Sequence, residues 1–198
     1  LAGYDTEVKL LAVTPSSENL IEKAGRLCYA TDDKTGLTSD WIQKRIAQGH
    51  ESIIEHGVAT FYIRCSRVVT HELVRHRLAS YSQRSQRYVK EGVPQYIIPP
   101  ELTTPEQIQS YILAMNEAWA IYKFLLESGI KPEIARYVLP NACETRIICT
   151  WNFREIRHII KLRTSPAALP EMREVAGQIC DIMVGKVPTI FGDIKVRN

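Results

Sequence analysis

Between Arg75 and Tyr88 the chain places four arginines, a histidine, three serines and two glutamines, with no acidic residue among them. The run reads Arg75-His76-Arg77-Leu78-Ala79-Ser80-Tyr81-Ser82-Gln83-Arg84-Ser85-Gln86-Arg87-Tyr88. Guanidinium, hydroxyl and amide donors at this density suit an oxyanion, most simply a phosphate. The residues in front, Ser66 to Val74, predict a helix: Val69, Leu73 and His76 fall at i, i+4 and i+7, with Ser66 as N-cap. Arg75 and Arg77 are two apart, so on a helix they diverge by roughly 200°. They then serve two different groups, or two different chains. Three readings of the run stay open at this point. It is a solvated basic helix end running into a polar loop. Or its arginines track a nucleic-acid backbone while Tyr81 or Tyr88 stacks on bases. Or it holds the phosphate of a small molecule.

Composition narrows the surroundings. A length of 198 residues predicts one domain over 1–198, large enough for a real core but small for an enzyme with several bulky ligands. A net charge of +3 is mild, so nucleic acid is not implied as a bulk partner; what matters is where the arginines cluster. No apolar run approaches the roughly 18–20 residues that cross a membrane, and no secretion pattern opens the sequence. The five cysteines, Cys28, Cys65, Cys143, Cys149 and Cys180, form no C-x-x-C pair and are odd in number. Reduced thiols in a cytoplasmic protein are the expectation.

Other chemistries lack their signatures. The ten glycines never occur as G-x-G, so there is neither a dinucleotide fingerprint nor a Walker A loop. His50 and His56 are six apart and His71 and His76 five apart, spacings that do not put two ligands on one helical face, so no metal site is expected. No G-x-S-x-G elbow supports a hydrolase. Cys65, Cys143 and Cys149 lie in or beside alternating strands, where packing accounts for them better than nucleophilicity.

The elements that must position the run follow from periodicity. Val8 to Val13 predicts a strand, and Thr14-Pro15 a helix start, with Leu20, Ala24 and Leu27 on one face. Asp32 to Gly36 is a polar loop. Trp41, Ile42, Arg45 and Ile46 suggest a short helix stopped at Gly49. Val58 to Cys65 alternates as a strand that feeds the basic helix. Val93 to Pro100 is an extended connector. Thr104-Pro105-Glu106 opens the longest helix, where Ile108, Tyr111, Ile112, Met115, Trp119, Tyr122 and Leu126 keep phase as a core or subunit-interface stripe. Pro132 to Val138 is a short helix, and Ile147, Cys149 and Trp151 alternate in a strand. Asn152 with Glu155 is close to a capping box before Ile156, Ile159 and Ile160. Met172, Val175, Ile179 and Met183 mark the last helix. The fold class is α+β: a single helix-rich domain with a small central sheet.

The spacing Arg-His-Arg-x-x-Ser-x-x-x-x-Ser-x-Arg resembles the signature of the flavin-dependent thymidylate synthases, the ThyX family. Gly49-His50-Glu51-Ser52 with Glu55-His56, Arg136 before Leu139-Pro140, Asn152-Phe153-Arg154 and Leu162-Arg163 extend the resemblance over about residues 45 to 175. It implies an enzyme that makes dTMP from dUMP, with the methylene from methylenetetrahydrofolate and hydride from NADPH-reduced FAD. It also implies a homotetramer whose active sites are shared between chains, which answers the size objection. By matched position, Ser52, Arg75, His76, Arg77, Gln83, Asn152, Arg154 and His158 contact the flavin. His50 stands near it, placing the folate or nicotinamide, or is a structural histidine beside Glu55. Glu72, Arg75, Gln83, Arg84, Ser85, Gln86, Arg87, Arg136 and Arg163 hold the nucleotide. Arg87 and Arg136 suit its phosphate. Ser85 belongs to binding, since no histidine is near in sequence to act as its base. Arg163 lies over the uracil edge and stabilises charge on the ring, without a covalent enzyme adduct. The chain departs from the pattern at Glu72, Ser82 and His158, where Gln, Asn and Asn are frequent. An anion at position 72 is unfavourable beside the nucleotide unless an arginine pairs with it.

Overall fold

The computed structural model describes residues 3–34, 36 and 38–194. Its centre is a four-stranded antiparallel sheet of β1 (Glu7–Val13), β2 (Val58–Ser66), β3 (Ala79–Gln83) and β4 (Glu144–Asn152), in the order β1-β2-β4-β3. Around it stand α1 (Ser17–Leu27), α2 (Thr38–Ala47), α3 (Arg67–Leu73), α4 (Pro105–Glu127), α5 (Pro132–Ala135), α6 (Phe153–Arg163), α7 (Pro170–Lys186) and α8 (Pro188–Phe191). The α+β, helix-rich expectation is met.

Strand alternation decides which face is dry. Ala59, Phe61, Ile63 and Cys65 of β2 and Ile147, Cys149 and Trp151 of β4 are buried on one face, in register as Ala59↔Trp151, Phe61↔Cys149 and Ile63↔Ile147. They join Ile156, Ile159 and Ile160 of α6 and Met172, Val175, Ile179 and Met183 of α7 in one core. Thiols in that core are packing groups: burial pushes Cys65, Cys149 and Cys180 up, and it pushes Cys143, buried outside that cluster, up to about 11.

The N-terminal half of the chain corrects the sequence reading in two places. Pro15 does not open α1; Ser16 sits in the left-handed region at φ 48° and the helix begins at Ser17. Thr14 instead receives the Val58 N–H at 2.9 Å, tying the end of β1 to β2. The buried side of α1 is Ser17, Ile21, Glu22, Gly25 and Arg26, while Leu20 and Leu27 are exposed. Glu22 and Arg26, paired at 2.7 Å, occupy core positions that a hydrophobic pattern cannot flag.

α3 is held at both ends. Ser66 Oγ caps it by accepting the Val69 N–H at 3.3 Å, as expected. Buried Glu171 of α7 accepts the Ser66 N–H at 2.7 Å and its hydroxyl at 2.6 Å. At the other end the Leu73 carbonyl accepts the His76 N–H at 3.0 Å, and the His76 carbonyl lies past the helix. Both accept from the Tyr81 hydroxyl, at 2.6 and 2.7 Å, and that oxygen receives the Trp151 indole N–H at 3.1 Å. Tyr81 belongs to β3, a strand the sequence reading took for polar loop. Ser80 and Ser82 turn outward while Ala79, Tyr81 and Gln83 turn in, and β4 supplies the ladder partners that a serine-rich edge needs. Tyr81 is therefore a structural knot and is not free to stack on a base.

Tyr81→Phe leaves an indole N–H and two carbonyls without that hydroxyl. We expect a loss of about 1–3 kcal/mol in urea-unfolding stability. An unchanged midpoint removes Tyr81 from this role.

Candidate active site

The knot fixes where the basic run emerges. α3 stops at Leu73, so Arg75, His76 and Arg77 follow the helix rather than lie on it, and the helical divergence expected for the two arginines does not apply. Both are exposed and have no ion-pair partner among the described residues, whereas His76 between them is buried.

His76 is the centre of a chain of four side chains. Its Nδ1 lies 3.0 Å from Glu155 Oε1, and its Nε2 receives the Arg163 Nε–H at 3.1 Å. Arginine can only donate, so Nε2 carries the lone pair and the ring proton sits on Nδ1, directed at Glu155. Burial lowers the His76 pKa, the Arg163 cation adds to that, and Glu155 opposes it. The ring is neutral. Arg163 continues the chain, donating to the Glu72 carboxylate at 2.6 Å and to the Glu72 carbonyl at 3.4 Å. The arginine that an anion at position 72 requires is thus present. Asn152 caps α6 by accepting the Glu155 N–H at 2.8 Å, but Glu155 turns to His76 instead of closing a capping box.

On the outer side of His76 a cleft of about 460 Å³ is lined by Glu51, Leu78, Arg154, Glu155, His158 and Lys161. The His158 ring stands edge-on to His76 with centroids 5.5 Å apart. Arg154 donates to Glu55 at 2.6 Å, which joins α6 to the turn Glu51–His56. Ser52 lies on that turn and His50 just before it, both exposed. With Glu51 met by Lys161 at 3.6 Å and Glu155 turned to His76, the remaining cationic, imidazole and apolar groups around the cleft suit a flat ring system.

A third group lies beyond the far end of β3. Gln83 donates to Thr70 Oγ1 at 3.0 Å and Thr145 Oγ1 at 3.3 Å, which leaves its amide oxygen open. Arg84 pairs with Glu91 at 3.2 Å and Arg87 with Glu133 at 3.6 Å. Ser85 Oγ accepts the Arg87 N–H at 3.2 Å. Gln86 is buried, and its amide nitrogen has no hydrogen-bond partner among the described residues. Arg136 lies on the short turn Arg136–Val138 close enough to Arg67 for the two cations to interact. Burial lowers the Arg67 pKa, and Arg136 lowers it too. Neither has a carboxylate within ion-pair distance among the described residues. Glu91 acts on Arg67 from beyond ion-pair distance and offsets this only in part, so two neighbouring half-buried arginines leave room for an anion from outside.

The structure therefore joins Glu72, His76 and Arg163 directly, sets Arg154 and His158 around one cleft, and gathers the remaining nucleotide candidates near β3 and α5. Arg75 is the exception among those candidates: its backbone N–H donates to the Glu72 carbonyl at 3.1 Å, but neither its side chain nor that of Arg77 pairs with any of these groups among the described residues. Sequence reasoning missed Arg67, Glu155 as the partner of His76, and Leu78 and Lys161 of the cleft. Arg67 is adjacent to the cap serine and carries no local signal; only α5 reaching its side reveals it.

Comparison with known proteins gives the class. Residues 9–189 match the family model described as thymidylate synthase complementing protein. The chain is 40% identical to the flavin-dependent thymidylate synthase of Geobacter sulfurreducens, over 94% of this chain and 86% of that protein. It is 41% identical to that of Corynebacterium efficiens, over 92% and 81%. The crystal structure of a UMP/dUMP methylase, PolB, from Streptomyces cacaoi, bound with 5-Br dUMP, superposes with a TM-score of 0.85 at 28% identity, covering 95% of this chain and 93% of that one. The chain belongs to the flavin-dependent thymidylate synthase family.

The neutral ring predicts that His76 titrates below 6.5, the ordinary value, and that Glu155→Gln lowers it further by removing the carboxylate that favours the imidazolium. Ring-nitrogen NMR reads both; a ring that charges at or above 6.5 in the parent removes the assignment.

Proposed function

We propose that the chain converts dUMP to dTMP, with methylenetetrahydrofolate as methylene donor and NADPH-reduced FAD as hydride source, in a homotetramer whose sites draw on more than one copy. The observation that carries this reading is Arg163, a guanidinium held by the Glu72 carboxylate and the neutral His76 imidazole. The crystal structure of PolB with a bromo-dUMP supports the pyrimidine nucleotide as substrate class.

Arg67, Arg87 and Arg136, with the Ser85 region, would receive the phosphate. Gln83 would offer its oxygen and Gln86 its unpartnered amide to the nucleoside. Arg87 would exchange the partly exposed Glu133 for the ligand, an exchange that a dianion favours over a single carboxylate, and Arg84 would turn to it from the largely shielded Glu91. Ser52, Arg154 and His158 would hold the flavin in the cleft, with His50 at its rim. Bound there, the flavin supplies the hydride. What the chain's own residues do is bind, orient and stabilise charge. The pyrimidine must carry negative charge as carbon 5 forms its bond to the methylene, and the buried thiols, held protonated, are not nucleophiles that could share it. Arg163 would supply that stabilisation electrostatically.

A cleft of about 460 Å³ accepts a ring system but not a whole dinucleotide. Tyr88, Tyr137, Leu113 and Phe124 stand exposed outside it. Arg75 and Arg77, exposed and unpaired, are suited to reach a flavin seated against a neighbouring copy.

The purified protein should be yellow, bleach with NADPH and form dTMP from dUMP and methylenetetrahydrofolate. A colourless preparation that instead binds oligonucleotides with steep salt dependence overturns the reading. Arg163→Ala should lose about 100- to 1,000-fold in turnover while flavin absorbance is retained, the usual cost of one charge-stabilising donor. Parent-rate turnover would dismiss Arg163. Arg87→Ala should weaken dUMP in calorimetry by about 10-fold or more, as loss of a charged hydrogen bond does; an unchanged dissociation constant takes Arg87 out of the phosphate site.

A further inference from the structure

Arg163 ends α6, Glu72 lies on the last turn of α3, and His76 is on the turn that follows α3. A guanidinium has five N–H donors in one plane. Three are engaged from within the chain: Nε–H on His76, one terminal N–H on the Glu72 carboxylate, one on the Glu72 carbonyl. One N–H on each terminal nitrogen remains. A free arginine side chain carries about 2 kcal/mol of rotamer entropy and samples many directions. Here its plane is fixed by a carboxylate, a carbonyl and an imidazole that is itself fixed by Glu155.

We propose that Glu72 is a positioning residue for Arg163, in place of the direct nucleotide contact that its position in the family pattern implies. The inference rests on the reading of Arg163 as the group facing the pyrimidine. The carboxylate draws charge from the guanidinium, which by itself weakens an electrostatic catalyst. The compensating gain is direction: the plane of the guanidinium and its two remaining donors is set before the substrate arrives, with no reorganisation during the reaction. Glutamine at position 72 keeps an oxygen acceptor for the same N–H, so the brace tolerates loss of the charge but not of the oxygen. The brace also accounts for a neutral His76, since a charged imidazole would offer Arg163 no lone pair.

The two roles for Glu72 part in kinetics. Flavin-loaded parent, Glu72→Ala and Glu72→Gln are compared by kcat, by dUMP affinity in calorimetry, and by phenylglyoxal labelling of Arg163 followed by peptide mass spectrometry. Glu72→Ala should lower kcat by about 100-fold, the scale of a misplaced reacting group, and change dUMP affinity by less than about 3-fold. Arg163 labelling should speed up by about 5-fold or more, because a guanidinium freed of its carboxylate is open to reagent. Glu72→Gln should return kcat and labelling to within about 5-fold of the parent. A loss confined to dUMP affinity assigns Glu72 to the substrate and overturns the proposal, as does unchanged labelling of Arg163 in Glu72→Ala. A parent protein that forms no dTMP defeats the functional reading instead, and labelling alone then decides whether the brace exists.

Discussion

One imidazole, with a proton to give on one side and a lone pair to offer on the other, connects the parts of this site. His76 can face Glu155 and Arg163 at once only while it is neutral, because Arg163 has no lone pair to accept a second ring proton. Burial supplies that condition: removing the ring from water disfavours its charged form, and the adjacent guanidinium disfavours it again. A carboxylate from the start of α6, an imidazole after α3 and an arginine from the end of α6 are thereby held in one line with Glu72. The usual outcome for a carboxylate beside a histidine is an ion pair; here the second neighbour is the stronger cation, and the histidine becomes a neutral spacer.

That line depends on backbone order beneath it. The turn carrying His76 is not a regular element, and turns of this kind keep a fixed shape when their carbonyls are satisfied. Tyr81 does this from β3, shared between the Leu73 and His76 carbonyls, and Trp151 steadies the phenol from β4. Glu171 performs the matching task at the start of α3. A sheet with one dry face and one open edge suits the purpose. The dry face gives rigidity through close packing, and the β3 edge carries the basic run outward.

The arginines divide by how their charge is met. Arg157 is buried and bound to Asp193 and to the Ile190 carbonyl, which locks α8 and the residues after it onto α6. Arg163 is braced but keeps donors free. Arg84 rests on the largely shielded Glu91, whereas Arg87 and Arg154 rest on partly exposed carboxylates, pairs that water screens and a ligand can displace. Arg67, Arg75, Arg77 and Arg136 have no acid within ion-pair distance among the described residues. Arg67 and Arg136 are half-buried, where an unmet charge costs more than it does at exposed Arg75 and Arg77.

Local rules carried much of the architecture. Ser66 before Val69, Asn152 before Glu155, Thr104 before Gln107 and Pro at helix starts rest on contacts within one turn, and α3, α6, α4 and α7 begin where those residues stand. Alternation sufficed for β2 and β4, because a half-buried strand writes its own period, and a compact apolar run marked β1. The basic run was legible too, with its spacing, as was the need for a partner to Glu72. The rest is non-local. β3 exists because β4 offers it a ladder, and no pattern within five polar-rich residues encodes a neighbour. α1 buries Glu22 and Arg26 because they satisfy each other, which a count of apolar positions cannot see. Arg163 meets Glu72 and His76, 91 and 87 residues away in sequence, because two helices end beside one another. Residue type and spacing specified which groups could bind an anion; only the packing of α3, β3 and α6 decided which face each other, since hydrogen bonds act over about 3 Å and the chain must fold before they can form.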